Sequence, residues 1–385
     1  MPTPKNPFLQ FEESFSDLPD PRIDRHKKYP LMEVLFLIFS GVLSNCDSWE
    51  EIADFGTAKL PWLRKYFPYT NGVPSHDTLS RVMGMINGRA FEKCFIDWTT
   101  GELVLPQGTV IQLDGKSLRR SVSITEQQTK KADGGKQAVH LLHAWCGQLK
   151  MCLAQYEVDG KTNEITAIPD LLDLLEISGC ILTIDAMGCQ KDIVQKIVDN
   201  HADYVIGLKG NQSKLADAVV TLFEDQEYEA EEDTHHEKEK GHGREEVRMI
   251  KVLDAKLLPD EITEEWAGLT KVVRIISERF VKVGEKFSLE ARYYITSIDT
   301  SALKMSKFTR DHWLVENQLH YSLDVTFRED ASRKRDKNQA KNFSIILKMA
   351  INALKPRPEK ISIKRKRMRC GYYDDYRELA LGFNA

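Results

Sequence analysis

Three acidic residues that are far apart in the chain have the chemistry of a divalent-metal site. Two short apolar runs, at 110–113 and 181–184, each lead into an aspartate, Asp114 and Asp185. If these runs form adjacent parallel strands, both carboxylates leave the sheet at the same end. Glu316, on a predicted helix, supplies a third carboxylate. Mg²⁺ and Mn²⁺ favour oxygen ligands and usually keep water and phosphate in their coordination shell. The pattern therefore favours phosphodiester chemistry.

The predicted helix from about 302 to 325 carries one polar stripe. Its members recur at helical spacing and are Trp313, Glu316, Asn317, His320 and Asp324. Val315, Leu319 and Leu323 lie away from this stripe. A solvated helix face gives the same pattern, although tryptophan and histidine are less typical of a plain surface. Glu316 is the preferred third ligand, and the competing acids are Asp311, Asp324, Glu329 and Asp330.

The elements that position these residues indicate an α/β fold. Residues 1–105 are predicted to be a helical N-terminal domain, and residues 106–354 a catalytic domain built on a mixed sheet with helices on both faces. Its predicted strands are 108–113, 138–146, 150–158, a strand ending at Asp185, and 204–208. Residues 212–300 are predicted to be a mostly β insertion, with strands at 245–253, 269–280 and 288–298. Helices at about 302–325 and 338–354 complete the domain, and residues 355–385 form a basic C-terminal tail.

The charges are segregated along the chain. The 385 residues contain 54 Lys and Arg against 58 Asp and Glu, a net charge of −4. Residues 224–239 hold nine acids and one lysine, whereas residues 355–369 hold eight basic residues and one acid. A concentrated basic segment neutralises phosphates whatever the total charge. The predicted DNA-binding residues of this segment are Lys364, Arg365, Lys366, Arg367 and Arg369.

Composition also excludes some classes of protein. The longest apolar stretch, 31–43, is too short to cross a bilayer, and residues 1–5 lack the pattern of a signal peptide. A cytoplasmic protein without a membrane partner is expected. The seven cysteines include no C-x-x-C pair, so we expect reduced thiols, mostly buried, rather than disulfides or a thiolate zinc site.

The N-terminal domain contains a further DNA-binding candidate. One helix is expected to open at Asp47 or Ser48, and another after Pro74 with Ser75 or Asp77 as its N-cap. This arrangement fits a helix-turn-helix, and it fits a plain helical bundle equally well.

Several short runs, in this order, resemble one known family. They lie at 19–22, 49–52, 74–78, 114–116, 163–169, 183–190, 209–212, 242–246 and 312–317. The chain resembles bacterial insertion-sequence transposases of the DDE type, in the subgroup of the H-repeat-associated proteins found beside Rhs elements. The resemblance covers nearly the whole length. It departs from the related tyrosine-arginine-glutamate-lysine signature, because Arg310 and Glu316 lack its spacing and Leu323 stands where its lysine is sought.

The resemblance implies a ribonuclease H-like core with Asp114, Asp185 and Glu316 at its catalytic positions. It implies two Mg²⁺ or Mn²⁺ ions on these acids, cleavage of double-stranded DNA at element ends, and transfer of those ends to a target. The expected supporting residues, which contact phosphate or lie behind the acids, are Lys116, Lys209, Arg310, His320 and Asp324, and Arg244 is expected on the DNA-binding face. A homodimer on DNA in the bacterial cytoplasm, associated with the nucleoid, is also expected. The alternatives are a ribonuclease H-like nuclease or resolvase and a domesticated DNA-binding protein without catalysis.

Overall fold

A computed structural model describes residues 7–101, 103–119, 121, 138–158, 163–225, 233–241, 244–281 and 286–382. Its nine strands form one mixed sheet in the order β3-β2-β1-β4-β5-β9-β8-β7-β6. The strands are β1 Val110–Leu118, β2 Val139–Cys146, β3 Met151–Val158, β4 Ile181–Ile184, β5 Asp203–Leu208, β6 Asp233–Gly241, β7 Arg244–Asp254, β8 Lys271–Val281 and β9 Lys286–Thr296.

The helices fall before, between and after these strands. The first six are α1 Pro7–Ser16, α2 Leu31–Leu43, α3 Trp49–Ala58, α4 Leu60–Leu63, α5 His76–Met85 and α6 Gly88–Thr100. The next five are α7 Glu164–Leu172, α8 Lys191–Asp199, α9 Ser213–Glu224, α10 Asp260–Thr263 and α11 Ala302–His312. The last three are α12 Lys337–Leu354, α13 Ile363–Tyr372 and α14 Asp374–Leu381. Among the described residues, no helix is long and apolar enough to span a membrane.

The chain divides into two compact units. The helix-rich unit comprises Met1–Val104, Gly115–Lys161 and Glu316–Ala385, and the sheet-rich unit comprises Leu105–Asp114 and Thr162–Val315. The boundary on β1 falls between Asp114 and Gly115.

The centre of the sheet confirms the expected ribonuclease H-like arrangement. β4 pairs in parallel with β1 on one side and with β5 on the other, while β2 and β3 form an antiparallel pair. The strands β1, β4 and β5 are almost entirely buried, as near-continuous apolar runs in parallel sheets are. Val110, Ile181 and Val205, one from each strand, share a core with Met305 of α11. The predicted mixed sheet, with its parallel and antiparallel strands, is therefore confirmed.

The insertion extends this sheet. β9 pairs antiparallel with β5, and β8, β7 and β6 follow as antiparallel neighbours. β7, β8 and β9 match the three predicted strands within about two residues. β6 was not predicted, because its sequence is an acidic run with little apolar alternation. The rest of that run, residues 226–232, lies outside the described residues.

The helix-rich unit is built around α2 and α12. All but one of the residues of α2 are buried, which explains its apolar character on every face. In α12, Asn342 is fully buried, and its Nδ2 donates to the backbone oxygen of Met83 in α5. Ser48 caps α3 with a reciprocal Glu51 contact, and Ser75 caps α5, so both expected helix starts are confirmed.

Three local features differ from the predictions. β1 continues through Asp114 to Leu118, so this aspartate lies within the strand and not at its end. The predicted α-helix at 302–325 ends as an α-helix at His312, and it is followed by π-helix at Val315–His320 and Ser322–Thr326. Residues 363–381 fold as two helices with a buried face, so the C-terminal segment is not an extended tail.

Candidate active site

Strand register brings Asp114 and Asp185 to equivalent positions of two neighbouring strands. The parallel pairing of β1 with β4 aligns Val110 with Ile181 and Gln112 with Thr183. Two residues further along each chain are Asp114 and Asp185. Because the pairing is parallel, both residues follow the buried part of their strands in the same direction. Two carboxylates at such positions would offer oxygen ligands, which suit a hard divalent cation.

The backbone around Asp185 is fixed by two neighbouring loops. Its Oδ1 accepts a hydrogen bond from the Met187 amide at 3.0 Å and so caps a short 3₁₀ turn. Asn211, after β5, donates to the backbone oxygen of Ala186 at 2.8 Å. Glycine at position 207 lets the backbone of β5 lie close to that of Ala186, because a Cβ atom at this position would be 3.1 Å from the nitrogen of Ala186. These contacts give a structural reason for the run at 209–212, in which Lys209 is exposed.

A half-buried histidine joins α11 to the same end of β4. Nδ1 of His312 lies 3.0 Å from Oγ1 of Thr183, and the imidazole tautomer decides which of the two atoms donates. Burial lowers the pKa of His312, while the negative charge of Asp185 acts in the opposite direction. The ring is therefore neutral at physiological pH. The sequence analysis did not single out His312 as a functional residue, although it lies in one of the family-like runs.

Glu316 lies one helical turn after His312 in the sequence. It is exposed on the π-helical segment, where Val315 and Leu319 are fully buried. π-Helical turns are rare and are frequent at functional sites. Within the described ranges, no group of three or more His, Cys, Asp and Glu side chains was found that could hold a metal ion.

Lys116 is the centre of an ion cluster in the helix-rich unit. Its Nζ lies 2.8 Å from Asp324, 3.1 Å from Glu329 and 3.2 Å from Asp330. Burial acts to lower the pKa of Lys116, but the three carboxylates raise it above its ordinary value. Lys116 was predicted to contact phosphate or to lie behind the metal-binding acids, and in this structure its ammonium group pairs with three other acids.

The ion cluster continues into the core through Glu329. Its Oε1 accepts from Oγ of Ser344 at 2.5 Å and lies 3.8 Å from Nζ of the fully buried Lys348. Burial acts to raise the pKa of Glu329, but Lys348 and Lys116 lower it below its ordinary value. Asp324, Glu329 and Asp330 are thus engaged by lysine, which leaves Glu316 and Asp311 from the original set of third-ligand candidates.

Two more of the predicted supporting residues, Arg310 and His320, have partners within the protein. Arg310 pairs with Glu237, at 2.9 Å, and with Glu239, both on β6. Nε2 of His320 lies 3.1 Å from Nδ1 of the buried His143. Burial, with the charges of nearby lysines, lowers the pKa of His320 to about 3, so its ring is neutral. Neither Arg310 nor His320 presents a free cation for phosphate.

Comparison with known families identifies the family of this chain. The family described as "Transposase DDE domain" matches residues 95–353, and the family described as "DDE_Tnp_1-associated" matches residues 12–99. The chain belongs to the DDE transposase family. The resemblance inferred from the sequence is thus confirmed.

Two relatives of this DDE transposase cover almost its whole length. "Putative transposase YncI" of Escherichia coli O157:H7 is 39% identical over 95% of this chain and 93% of its own length. "H repeat-associated putative transposase YhhI" of Escherichia coli K12 is 39% identical over 89% of each chain. The chain is also similar to a piggyBac transposase whose structure was solved as a synaptic complex with hairpin DNA. That similarity has a TM-score of 0.46 and 11% identity, and it covers 100% of this chain and 83% of the other.

The predicted DNA-binding residues of this transposase differ in solvent exposure. Arg244 at the start of β7, and Lys364 and Arg365 on α13, are exposed. Arg369 is half-buried, and its guanidinium lies 5.7 Å from the ring centroid of Tyr376.

Lys366 and Arg367 have structural roles instead of the predicted DNA contact. Nζ of Lys366 donates to the backbone oxygens of Leu354 and Arg357. Arg367 is fully buried and bonds the backbone oxygen of Val42 and the carboxylate of Asp47. Both side chains are buried in these contacts, so in this structure neither ammonium nor guanidinium group is exposed for the predicted phosphate contact. Sequence alone gave no sign of this difference, because the basic run has no apolar periodicity.

Proposed function

We propose that this chain is a metal-dependent DNA transposase that cuts the ends of an insertion sequence and joins them to target DNA. The proposal assigns Asp114, Asp185 and Glu316 as the metal-binding acids. The observation that supports it, in a member of the DDE family, is the parallel register of β1 and β4. Asp114 and Asp185 each follow by two residues a position of that register, Gln112 and Thr183.

The chemistry of these side chains fits Mg²⁺ or Mn²⁺. All three are carboxylates, and such hard ligands favour these ions over softer metals. Two bound ions would supply an activated water or DNA 3′-hydroxyl and would stabilise the departing oxygen of the phosphodiester.

The protein itself orients the acids. The Met187 amide holds one oxygen of Asp185, and His312 ties the last turn of α11 to Thr183. Because its imidazole is neutral, His312 adds no positive charge that would compete with a metal ion. Glu316 follows four residues later, and we propose that the π-helical backbone directs it toward the same site. Lys116 pairs with Asp324, Glu329 and Asp330, which makes these acids less available as alternative ligands.

DNA would be held by exposed cations outside this site. We assign Arg244, Lys209, Lys364 and Arg365 to sequence-independent phosphate contacts. We further propose a homodimer, since joining needs two element ends to be held together.

The experiment is a cleavage and joining assay on DNA that carries the inverted repeats flanking the gene. Cleavage is expected with Mg²⁺ or Mn²⁺ and not with EDTA. Asp114→Asn, Asp185→Asn and Glu316→Gln are each expected to abolish cleavage while thermal unfolding stays cooperative. Two exposed acids, Asp217 on α9 and Glu264 after α10, provide matched controls as Asp217→Asn and Glu264→Gln, which should retain activity.

The products separate this proposal from its competitors. Cleaved ends joined to a target are the expected result. Cleavage without joined products would instead show a nuclease, and binding without any cleavage would show a non-catalytic DNA-binding protein.

A further inference from the structure

The segment at 328–337, here called the basic loop, presents four exposed cations in the helix-rich unit. They are Arg328, Arg333, Arg335 and Lys337. The carboxylates of the described residues form no ion pair with any of them. Surface lysines and arginines elsewhere in the chain often have such partners, as Lys65, Lys93 and Lys256 do. An exposed cluster of cations that outnumbers the adjoining carboxylates produces a positive potential that attracts polyanions.

Acids lie within the basic loop, but other groups engage them. Asp336 caps α12 by accepting from the amide of Gln339 at 2.7 Å. Asp330 pairs with Lys116, and Glu329 is buried against Lys348. Glu329 and Asp330 are therefore paired with lysines other than the four exposed cations, whereas Asp336 keeps its negative charge beside Arg335 and Lys337. Four exposed cations then adjoin one such carboxylate.

A buried lysine fixes the backbone of the basic loop. Nζ of Lys334 lies 3.6 Å from the ring centroid of Phe343 and 5.0 Å from that of Trp49. It also donates to the backbone oxygen of Asp47 at 3.3 Å. With Lys334 held inward, its neighbours Arg333 and Arg335 are exposed on either side. This anchoring reduces the conformational entropy that the loop would lose on binding a partner.

The other end of the loop is constrained by an unusual backbone. Arg328 has the left-handed conformation, with φ 54° and ψ 35°, which is unfavourable for a residue with a Cβ atom. Its neighbours Phe327 and Glu329 are both buried, and the turn leaves Arg328 exposed between them. Arg328 and Arg333 line the same cleft, which has a volume of about 400 Å³.

We propose that the basic loop binds the phosphate backbone of DNA through Arg328, Arg333, Arg335 and Lys337. This inference rests on the proposed function, because it assigns a DNA contact to a segment that lies about a dozen residues after Glu316 in the sequence. The contacts are made to phosphates and carry no sequence information, so they position the duplex and do not select it. The sequence analysis missed this surface, since it considered the charge-dense run at 364–369 and not the shorter run at 333–337.

The test is the salt dependence of DNA binding. A random-sequence duplex labelled with fluorescein is titrated with the full-length protein at several KCl concentrations, and anisotropy gives the Kd. The test variant is Arg333→Gln/Arg335→Gln/Lys337→Gln. The control variant, Lys65→Gln/Lys93→Gln/Lys256→Gln, removes the same charge from exposed lysines that already have carboxylate partners.

The expected result is a weaker Kd at low salt and a shallower plot of log Kd against log salt for the test variant. Each lost phosphate contact reduces the slope by roughly 0.9, so three contacts reduce it by roughly 2 to 3. The control should keep the wild-type slope. If the test variant and the control have the same slope, the proposal is overturned. A wild-type protein that binds no DNA would overturn the proposed function as well. All six substituted side chains are exposed, and the melting temperature of each variant verifies that the fold is intact.

Discussion

His312 and Thr183 are joined side chain to side chain, with 3.0 Å between Nδ1 and Oγ1. Thr183 lies two residues before Asp185 on β4, and His312 ends α11 four residues before Glu316. Both partners belong to the sheet-rich unit. The contact fixes the end of α11 against the strand that leads to the second acid. A neutral histidine suits this task, because a charged one would interact directly with Asp185.

A double-mutant cycle on this pair tests its role. Thr183→Val and His312→Ala each remove one partner, and each is expected to lower the free energy of unfolding by about 1–3 kcal/mol, since the other group stays buried. The double variant should lose less than the sum, with a coupling of about 0.5–1.5 kcal/mol. Urea unfolding measures both quantities. Strict additivity would show that the two side chains do not interact.

Substitution of Glu316 should affect cleavage activity, whereas substitution of Glu329 should affect stability. Glu316 is exposed, so Glu316→Gln should change stability by less than about 0.5 kcal/mol while removing cleavage activity. Glu329 is buried between Lys116 and Lys348, so Glu329→Gln should destabilise the protein by about 3–5 kcal/mol. Denaturant unfolding and the cleavage assay together distinguish the two glutamates. Equal losses of stability would contradict the assignment of Glu329 as a structural residue.

The buried ion pair provides a second check on the same cluster. Lys348→Met alone leaves Glu329 with one lysine partner fewer, whereas Lys348→Met/Glu329→Gln removes both charges. The double variant is expected to be less destabilised than the two single effects combined, because neither partner remains as an unpaired buried charge. A double variant as unstable as the sum of the singles would show that packing, and not charge, dominates at this position.

Two arginines two residues apart on α13 should behave very differently. Arg367 is fully buried and bonds Val42, Thr326 and Asp47, and Arg367→Met should cost about 3 kcal/mol or more, because these acceptors lose their donor. Arg365 is exposed, and Arg365→Met should change stability by less than about 0.5 kcal/mol. Thermal unfolding compares them directly. Similar melting temperatures for the two variants would contradict the buried role of Arg367.

Sequence patterns predicted the order of the elements because that order depends on local periodicity. The apolar runs before Asp114 and Asp185 are typical of buried parallel strands, and both strands occur with the expected alignment. β6 could not be found in this way, because its residues are mostly charged and it pairs at the edge of the sheet. The charge of its Glu237 is partly balanced by Arg310, which is distant in sequence, and by Arg248 on the neighbouring strand β7.

The surroundings of individual cations could not be predicted from the sequence. A lysine two residues after Asp114 fits a phosphate contact, and only the three-dimensional structure shows that three acids surround it. Likewise, burial of Lys366 and Arg367 depends on backbone oxygens from distant segments. The sequence shows which residues are basic. Whether a basic side chain is free to contact phosphate depends on its tertiary contacts.

A buried glutamate in the helix-rich unit makes stability depend on pH. Glu92 is 1% exposed, and burial raises its pKa to about 7, although Arg89 and Lys341 act in the opposite direction. Its oxygens accept from the Glu157 amide and from Arg89, both at 3.1 Å. Between the unfolded and folded pKa values the folded protein binds more protons than the unfolded chain. The free energy of unfolding therefore falls as the pH rises through this window.

Glu92→Gln should remove this dependence, because glutamine stays neutral at every pH. If the substitution also breaks the bond to Arg89, the free energy of unfolding falls by the same amount at every pH. The slope of the free energy of unfolding against pH is therefore the informative quantity. From about pH 5 to about pH 8, the variant should gain up to about 3 kcal/mol relative to wild type. Urea unfolding at several pH values measures this difference, and Glu264→Gln, at an exposed site, should run parallel to wild type. A parallel profile for Glu92→Gln would mean that Glu92 titrates normally in the folded protein.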